Sequence, residues 1–314
     1  MSDILITEKI QGLAIDALGQ SYDVKYEPNL WQNDAALRDA VGKTRAMIVR
    51  NQTQVTRALI AGGNSLKVIG RAGAGLDNID VAAACEQGIV VTSTPEQNSL
   101  SVAELTLGLM LALARHIPAA DRDTRVGNWS RQKFTGVELY GSTVGIVGFG
   151  RIGFLTAMRA QAMGMRVVIS DPVVGPDAAT VNAVGGYVLP LEQVLGAADF
   201  ICCHVPCTPS TRLFFNADRF AQTKQGAYFI NTSRGEVVDE LALASVLKSK
   251  HLAGAGLDVR STEPPTASVF DQMDNVILTP HIAAFTDQAQ DRVIKAVCLD
   301  VAGVLEGKTP NYPA

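Results

Sequence analysis

The stretch that decides the fold runs Val144-Gly145-Ile146-Val147-Gly148-Phe149-Gly150-Arg151-Ile152-Gly153. Its apolar start predicts a β-strand, and its glycines follow the spacing G-x-G-x-x-G ahead of a helical pattern. Gly148 permits a tight turn, Gly150 lets the backbone approach a pyrophosphate, and Gly153 lets the helix pack against the strand. The next predicted strand ends at Asp171, about twenty residues on, where such units carry an acid. The stretch therefore predicts a dinucleotide-binding βαβ unit.

The predicted cofactor is NAD. Backbone amides at the start of the helix, at Arg151 and Ile152, would bind the diphosphate. The Asp171 carboxylate would accept hydrogen bonds from the ribose hydroxyls and repel a 2′-phosphate, which favours NAD over NADP. The alternative is a glycine-rich turn that holds no ligand.

Short apolar runs alternate with helical patterns on both sides of this unit, which is typical of parallel α/β architecture. The predicted strands are residues 4–7, 24–27, 46–50, 68–71, 90–93, 144–148, 166–170, 200–205, 227–231, 254–257 and 276–278. Long helices are predicted over 99–116 and 287–305, and the polar segment 119–140 between two such sets is predicted to be an arm or connector. A chain of 314 residues exceeds the usual size of one core. We therefore predict an α/β protein with two doubly wound parallel-sheet domains.

The composition of the chain excludes some classes of binding partner. The chain is 47% hydrophobic and 18% charged with a net charge of -4, which argues for a sizeable core and against a nucleic-acid partner. No basic-then-apolar leader opens the sequence, and the longest uncharged apolar run, 105–114, is about half of a bilayer span. We expect a cytoplasmic protein with no membrane partner.

The cysteines favour a reducing compartment, because they lie mostly in apolar stretches without the spacing of a disulfide framework. Cys202, Cys203, His204 and Cys207 form the one cluster with a possible metal-binding pattern. Neighbours on a strand point to opposite faces and cannot chelate one ion together, so we predict no metal site.

A nicotinamide cofactor transfers hydride, and its transfer to a 2-oxo acid needs a cation for the carboxylate, a proton donor, and a group that supports the donor. Four histidines are available as donors. His116 and His251 are predicted at the surface, and His204 ends a strand of the cofactor domain, where a binding or structural role is expected. His281 follows the strand 276–278, at the sheet edge where α/β proteins place ligands, and is the preferred acid–base residue.

Two further strand ends supply the other groups. Arg234 follows the strand 227–231, and its planar guanidinium can bind a carboxylate at two points. Glu263 follows the strand 254–257, and paired with His281 its carboxylate would stabilise the imidazolium.

Segments 145–153, 231–240, 256–265 and 279–286 resemble the D-isomer-specific 2-hydroxyacid dehydrogenases, and the resemblance runs over nearly the whole chain. It implies that Arg234 binds substrate, Glu263 supports the histidine and His281 exchanges the proton. It also implies two Rossmann-like domains with a cleft between them. These are a discontinuous substrate domain, 1–98 with 285–314, and an NAD-binding domain, 99–284, that includes a dimerisation helix and arm.

The resemblance extends the predicted site. It implies that Ala74 and Gly75 offer backbone amides to the substrate carboxylate and that Asn98 lines the cleft by the nicotinamide. Arg50 follows the strand that begins at residue 46, so it is predicted to bind the anionic end of the substrate. Arg131 and Lys133 on the connector would reach a partner's site if that segment is extended; a solvated surface is the alternative. The predicted cofactor-binding residues are Gly148, Gly150, Arg151, Ile152, Gly153, Asp171, Pro172, His204, Val205, Pro206, Thr232, Ser233, Asp258, Ala283 and Ala284.

Within the family, segments 49–53, 70–80 and 128–134 are most similar to members that act on 3-phosphoglycerate. The expected reaction is its NAD-dependent oxidation to 3-phosphohydroxypyruvate, in serine biosynthesis. Three alternatives stay open: a sulfolactate dehydrogenase, a glyoxylate or hydroxypyruvate reductase, and an NAD-sensing, corepressor-like binding protein. A homodimer is expected, and a tetramer is left open.

Three positions depart from the family pattern. Arg260 stands where an aromatic residue is usual, and Phe285 stands where small residues follow the histidine. The sequence ends at Ala314, so we expect the regulatory domains of longer members to be absent. The first two departures bear on the substrate.

Overall fold

The structure, a computed structural model, describes residues 2–265 and 267–314. Its strands are β1 (Ser2–Ile6), β2 (Val24–Tyr26), β3 (Thr44–Val49), β4 (Val68–Arg71), β5 (Val90–Thr92), β6 (Thr143–Val147), β7 (Arg166–Ser170), β8 (Tyr187–Val188), β9 (Phe200–Cys203), β10 (Tyr228–Asn231), β11 (Gly254–Leu257) and β12 (Val276–Leu278). Its α-helices are α1 (Leu13–Leu18), α2 (Asp34–Val41), α3 (Arg57–Ala61), α4 (Val81–Glu86), α5 (Ser99–Ala114), α6 (Ile117–Arg125), α7 (Arg151–Ala162), α8 (Ala179–Ala183), α9 (Leu191–Ala197), α10 (Ala217–Ala221), α11 (Glu240–Lys248) and α12 (Asp287–Leu305).

The chain divides into two compact units. Unit 1 is Met1–Asn98 with Phe285–Ala314, and unit 2 is Ser99–Ala284. Each unit has its own parallel sheet with helices on both faces, so the predicted α/β class with two parallel sheets is confirmed.

The sheet of unit 1 has the strand order β2-β1-β3-β4-β5. On one face α12 packs closely on β3 and β4, where Gly70 leaves no room for a side chain against Val297 and Val301. The other face is covered by apolar side chains of α2, α3 and α4. The C-terminal segment returns to this unit, since Pro313 pairs with Thr92 at the edge strand β5.

The sheet of unit 2 has the order β12-β11-β10-β9-β6-β7-β8, with every neighbouring pair parallel. Strand order reverses between β6 and β9, and in open α/β sheets ligands bind at the carboxyl ends of the strands beside such a reversal. Cys202 belongs to the core on one face and Cys203 to the core on the other, as the alternation along a strand requires. Among the described residues, no group of three His, Cys, Asp or Glu side chains could hold a metal ion.

The connector differs from the prediction. Residues 119–125 of it belong to the helix α6, and Arg131–Phe134 forms a 3-10 helix, so the expectation of an extended segment with Arg131 and Lys133 on one side is wrong. The segment turns back because Asp123 accepts hydrogen bonds from Asn128 and Lys133. His251 is half-buried, and its Nε2 lies 2.9 Å from the Thr223 carbonyl oxygen.

Membrane-spanning length was tested over the part of the chain that the structure describes. No single helix there is long and apolar enough to cross a bilayer. The helices α5 and α6 taken together, with a bend of 59° between them, have the length and the composition of a span, and no other observation supports one.

Candidate active site

The predicted catalytic residues of unit 2 follow three adjacent strands. Arg234 lies beyond β10, Glu263 beyond β11 and His281 beyond β12. Because the strands are parallel, their carboxyl ends share one edge of the sheet. The same edge also carries the glycine loop, residues 148–150, which follows β6. Asp171 follows β7 and His204 follows β9 along that edge.

His281 and Glu263 form an ion-pairing hydrogen bond. The Nδ1 atom of His281 lies 2.6 Å from Oε2 of Glu263, and both side chains are partly exposed. Burial opposes ionisation of Glu263, but the hydrogen bond from His281, the Arg260 N–H and the charge of Arg234 outweigh it and hold the pKa of Glu263 below its usual range. Glu263 is therefore a carboxylate at neutral pH, and with Nδ1 engaged the imidazole presents Nε2 for proton exchange.

The backbone of His281 is held in a left-handed conformation, with φ of 55°. This conformation is costly for a residue with a side chain and persists only where the surroundings fix it. Asp258, only 1% exposed, fixes it: its carbonyl accepts the His281 N–H. Its carboxylate oxygens accept hydrogen bonds from Thr279, Ile282 and Ala283. Asp258 thus fixes the turn that carries His281, and its predicted cofactor contact stays a prediction.

Arg234 lies close enough to Glu263 for its charge to act on that carboxylate. Its backbone carbonyl accepts a hydrogen bond from Asn231 Nδ2, and its Nη1 donates to the Ser233 carbonyl. The three predicted catalytic residues therefore belong to one electrostatic group in unit 2.

The glycine loop fits a dinucleotide. Gly148 has φ of 92°, and a Cβ there would meet the His204 backbone at 2.8 Å. A Cβ at Gly153 would overlap the Gly148 carbonyl, whereas a Cβ at Gly150 would have no heavy atom within 4 Å. Gly150 caps the helix α7, so this open space lies at the start of that helix, where Arg151 and Ile152 are the first two residues.

Two polar side chains beside this loop also suit the cofactor. Asp171 Oδ2 accepts the Phe149 N–H at 2.7 Å, which ties the end of β7 to the loop. Both ring nitrogens of His204 are buried without a hydrogen-bond partner, as expected of a group that bonds a ligand. Burial lowers the pKa of His204 to about 4, so this imidazole is neutral and does not repel a cationic nicotinamide.

The remaining predicted cofactor residues stand on the same loops. Thr232 is buried and shares a hydrogen bond with Thr106, and the Ser233 hydroxyl donates to Asn231. The others are the exposed Pro172 and Pro206, the buried Val205 and Ala283, and the half-buried Ala284. Their cofactor contacts stay predictions.

In unit 1, Arg50 directly follows β3 and is held from several sides. The carboxylate of Glu8, 2% exposed, accepts the backbone N–H groups of Arg50, Gln52 and Thr53. The guanidinium stacks over the Phe285 ring, 4.8 Å from its centroid. Burial lowers the pKa of Arg50 and the Glu8 charge opposes this effect, and an arginine keeps its charge under such a shift.

The other predicted substrate residues of unit 1 lie in its loops. Ala74 and Gly75 are half-buried in the turn that follows β4, and Asn98 immediately precedes α5. The Asn98 Oδ1 atom is buried without a hydrogen-bond partner.

Sequence reasoning missed the residues that hold the site together. Arg260 was noted only as a departure, yet it forms a buried, two-point ion pair with Glu240. Glu8 stands just beyond the end of β1, where a carboxylate in an otherwise apolar segment was the available signal.

Residues 107–283 match the family model of the D-isomer specific 2-hydroxyacid dehydrogenase NAD binding domain. The chain belongs to this family, and its unit 2 carries the NAD-binding domain.

Two curated relatives show which members of the family this chain is similar to. The chain is 41% identical over 307 residues to the D-3-phosphoglycerate dehydrogenase of Synechocystis sp., covering 98% of this chain and 55% of that protein. It is 41% identical over 320 residues to the D-3-phosphoglycerate dehydrogenase of Methanocaldococcus jannaschii, covering 100% of this chain and 60% of that protein. The chain thus spans little more than half the length of these two relatives.

Among solved structures, the TT0316 protein of Thermus thermophilus is similar over its full length. The two share 34% identity with a TM-score of 0.92, and the match covers 99% of each chain.

Proposed function

We propose that this protein oxidises a D-2-hydroxy acid to the 2-oxo acid with NAD as the oxidant. The observation that carries the proposal is the His281–Glu263 pair, 2.6 Å apart, at the same sheet edge as Arg234. The relatives named above support it.

Each residue has one task in this reaction. NAD, when bound, supplies the hydride acceptor. Arg234 binds the substrate carboxylate, and His281 takes the hydroxyl proton at Nε2 as the carbonyl forms. Glu263 stabilises the imidazolium that results. Asp171 binds the ribose hydroxyls and disfavours a 2′-phosphate.

We propose 3-phosphoglycerate as the substrate, so that the product, 3-phosphohydroxypyruvate, enters serine biosynthesis. The support is the likeness to D-3-phosphoglycerate dehydrogenases and the charge of Arg50, which we assign to the phosphate. Ala74 and Gly75 are assigned to the substrate carboxylate, and Asn98 is assigned to the surroundings of the nicotinamide.

The test is a panel of 2-oxo acids assayed by NADH oxidation. We expect phosphohydroxypyruvate to be reduced with the highest kcat/KM, and His281→Ala to lower kcat about a hundredfold or more. A preference for sulfopyruvate would make the protein a sulfolactate dehydrogenase, and one for glyoxylate or hydroxypyruvate would make it a reductase. NADH binding without turnover of any acid would contradict the enzymatic proposal and favour an NAD-sensing regulator.

Arg50 is tested with the same panel. Arg50→Ala should raise KM for phosphohydroxypyruvate roughly tenfold to a hundredfold while leaving KM for hydroxypyruvate nearly unchanged, because one charge-assisted contact contributes about 1.5–3 kcal/mol. Arg57→Ala is the matched control, since Arg57 lies in the same unit and pairs with Glu86 at the surface. An equal rise for both substrates would give Arg50 a structural role and exclude it from phosphate binding.

We also propose that the protein acts as a homodimer in the cytoplasm. All five cysteines are thiols rather than halves of disulfides, as suits a reducing compartment. Exposed apolar side chains are concentrated between the end of α5 and β6, where a second copy would cover them; they are Leu111, Ile117, Val126, Trp129, Val137 and Tyr140.

A further inference from the structure

We propose that Arg260 and Glu240 act as a positioning pair, which sets the place of Glu263 and thereby the protonation of His281. The pair touches no reacting atom, and the inference rests on the proposed role of His281. It gives a task to Arg260, one of the departures from the family pattern.

The two side chains form a closed ion pair. Nε and Nη2 of Arg260 donate to the two carboxylate oxygens of Glu240, both at 3.0 Å. Nη2 also donates to Ser268 Oγ at 2.9 Å, and the guanidinium lies 4.9 Å from the centre of the Phe270 ring. Arg260 is only 8% exposed, so the charge depends on these partners.

The pair fixes the loop that carries Glu263. The backbone N–H of Arg260 donates to Glu263 Oε1 at 2.9 Å, while Oε2 of the same carboxylate holds His281. Glu240 accepts the Ser261 N–H at 2.9 Å in addition to the guanidinium. Glu240, the first residue of α11, therefore binds the side chain of Arg260 and the backbone of Ser261, which lie three and two residues before Glu263.

The pair also connects this loop to the Arg234 segment. A Cβ at Gly235 would overlap the Arg260 carbonyl, so the residue after Arg234 packs directly on the backbone of Arg260. Displacement of Arg260 would shift Glu263 relative to both His281 and Arg234.

Several charges surround the His281–Glu263 pair on the described loops. Arg234 belongs to the segment beyond β10, Asp258 and Arg260 to the segment beyond β11, and Glu240 to α11. Arg260 and Glu240 carry opposite charges, so neutralising both leaves the net charge unchanged. A shift in the titration of His281 in that double variant then reports on position.

The experiment follows the titration of His281 by NMR in protein labelled at the histidine ring carbons. The chain has four histidines, and His281→Gln identifies the signal. Glu263→Gln serves as the benchmark, because removing the counter-charge should move the His281 midpoint to lower pH. In Arg260→Met with Glu240→Gln we expect a shift in the same direction, by about half a pH unit.

Activity gives a second readout. The acidic limb of kcat/KM for oxidation should move to lower pH in the double variant, and kcat should fall about tenfold, while the Kd for NADH stays within about twofold. The matched control is Lys224→Met with Asp199→Asn, an ion pair at the opposite edge of the same sheet, which should change neither midpoint nor profile.

An unchanged His281 midpoint in a folded double variant would overturn the proposal, whatever happens to thermal stability. Where the double variant does not fold, Arg260→Lys keeps the charge but loses the two-point contact, and a smaller shift in the same direction is expected. The NMR readout needs no substrate. A shifted midpoint in a protein that oxidises no acid would therefore reject the proposed function and retain the positioning pair.

Discussion

At the scale of single residues, the enclosed imidazole of His204 makes stability depend on pH. Both ring nitrogens lack a partner in the protein, and burial lowers the pKa of His204 to about 4, from an ordinary 6.5. Between these values the unfolded chain binds a proton that the folded protein does not bind. The free energy of unfolding therefore decreases as the pH falls through this window.

We predict that His204 alone lowers the free energy of unfolding by up to about 3 kcal/mol between pH 6.5 and pH 4, measured by urea denaturation without cofactor. His204→Gln should show a smaller loss over this window. His251→Gln is the control, since the ring of His251 is already bonded to Thr223. Parallel pH curves for the unmutated protein and His204→Gln would contradict this prediction.

The sequence could predict part of the site at this scale and not the rest. His281, Glu263 and Arg234 were found because each follows a predicted strand of one parallel sheet, and the structure brings them together there. The Arg260–Glu240 pair could not be found in this way, because its members lie twenty residues apart on different elements and no periodicity connects them. The left-handed backbone of His281 could not be predicted either, because the presence of a histidine does not by itself indicate this conformation.

At the scale of elements, the passage from β6 into α7 contains one glycine that cofactor binding is predicted to require and another that packing requires. Gly150 caps α7 and Gly153 lies in its first turn, but only Gly153 is packed so tightly that a methyl group would collide with backbone. Gly150 borders open space and has φ of -74°, which any residue adopts.

We predict that Gly150→Ala weakens NADH binding at least tenfold with no loss of thermal midpoint, because the methyl group occupies space that a diphosphate needs. Gly153→Ala should instead lower the thermal midpoint. NADH titration by fluorescence and thermal melts of both variants are the measurements. Full NADH affinity in Gly150→Ala would remove the diphosphate from this loop.

Element boundaries were predictable where composition was decisive. β4, β7, β11 and β12 have the predicted ends, because apolar runs there are bounded by polar, glycine or proline residues. β8 was missed because it is two residues long at the sheet edge, and α6 because its polar sequence hid the helix that Pro118 helps to begin.

At the scale of the whole molecule, the exposed apolar side chains between α5 and β6 bear on assembly. Trp129 is 79% exposed and Val126 is 77% exposed, which is unusual for large apolar residues on a surface that stays in water.

We predict that light scattering at micromolar concentration gives twice the chain mass of 33.3 kDa. Val126→Asp with Trp129→Ser should shift the protein towards the monomer, because a charge would be buried in the interface. Leu13→Ser, at a leucine in α1 that is even more exposed, should leave the mass unchanged. A monomeric unmutated protein would refute the dimer, and a fourfold mass would reveal a second contact.

The helix α12 follows unit 2 in the sequence, yet it covers one face of a sheet whose strands precede unit 2. Val293, Val297 and Val301 pack on that face, and Asp300 accepts a hydrogen bond from Thr92. On the ribosome, the first 98 residues must therefore wait with an uncovered apolar surface until the intervening segment has been synthesised. Ser99–Ala284 has its own two-sided core and can fold during that interval. During synthesis these strands therefore expose an apolar face that α12 does not yet cover, and such a surface favours aggregation.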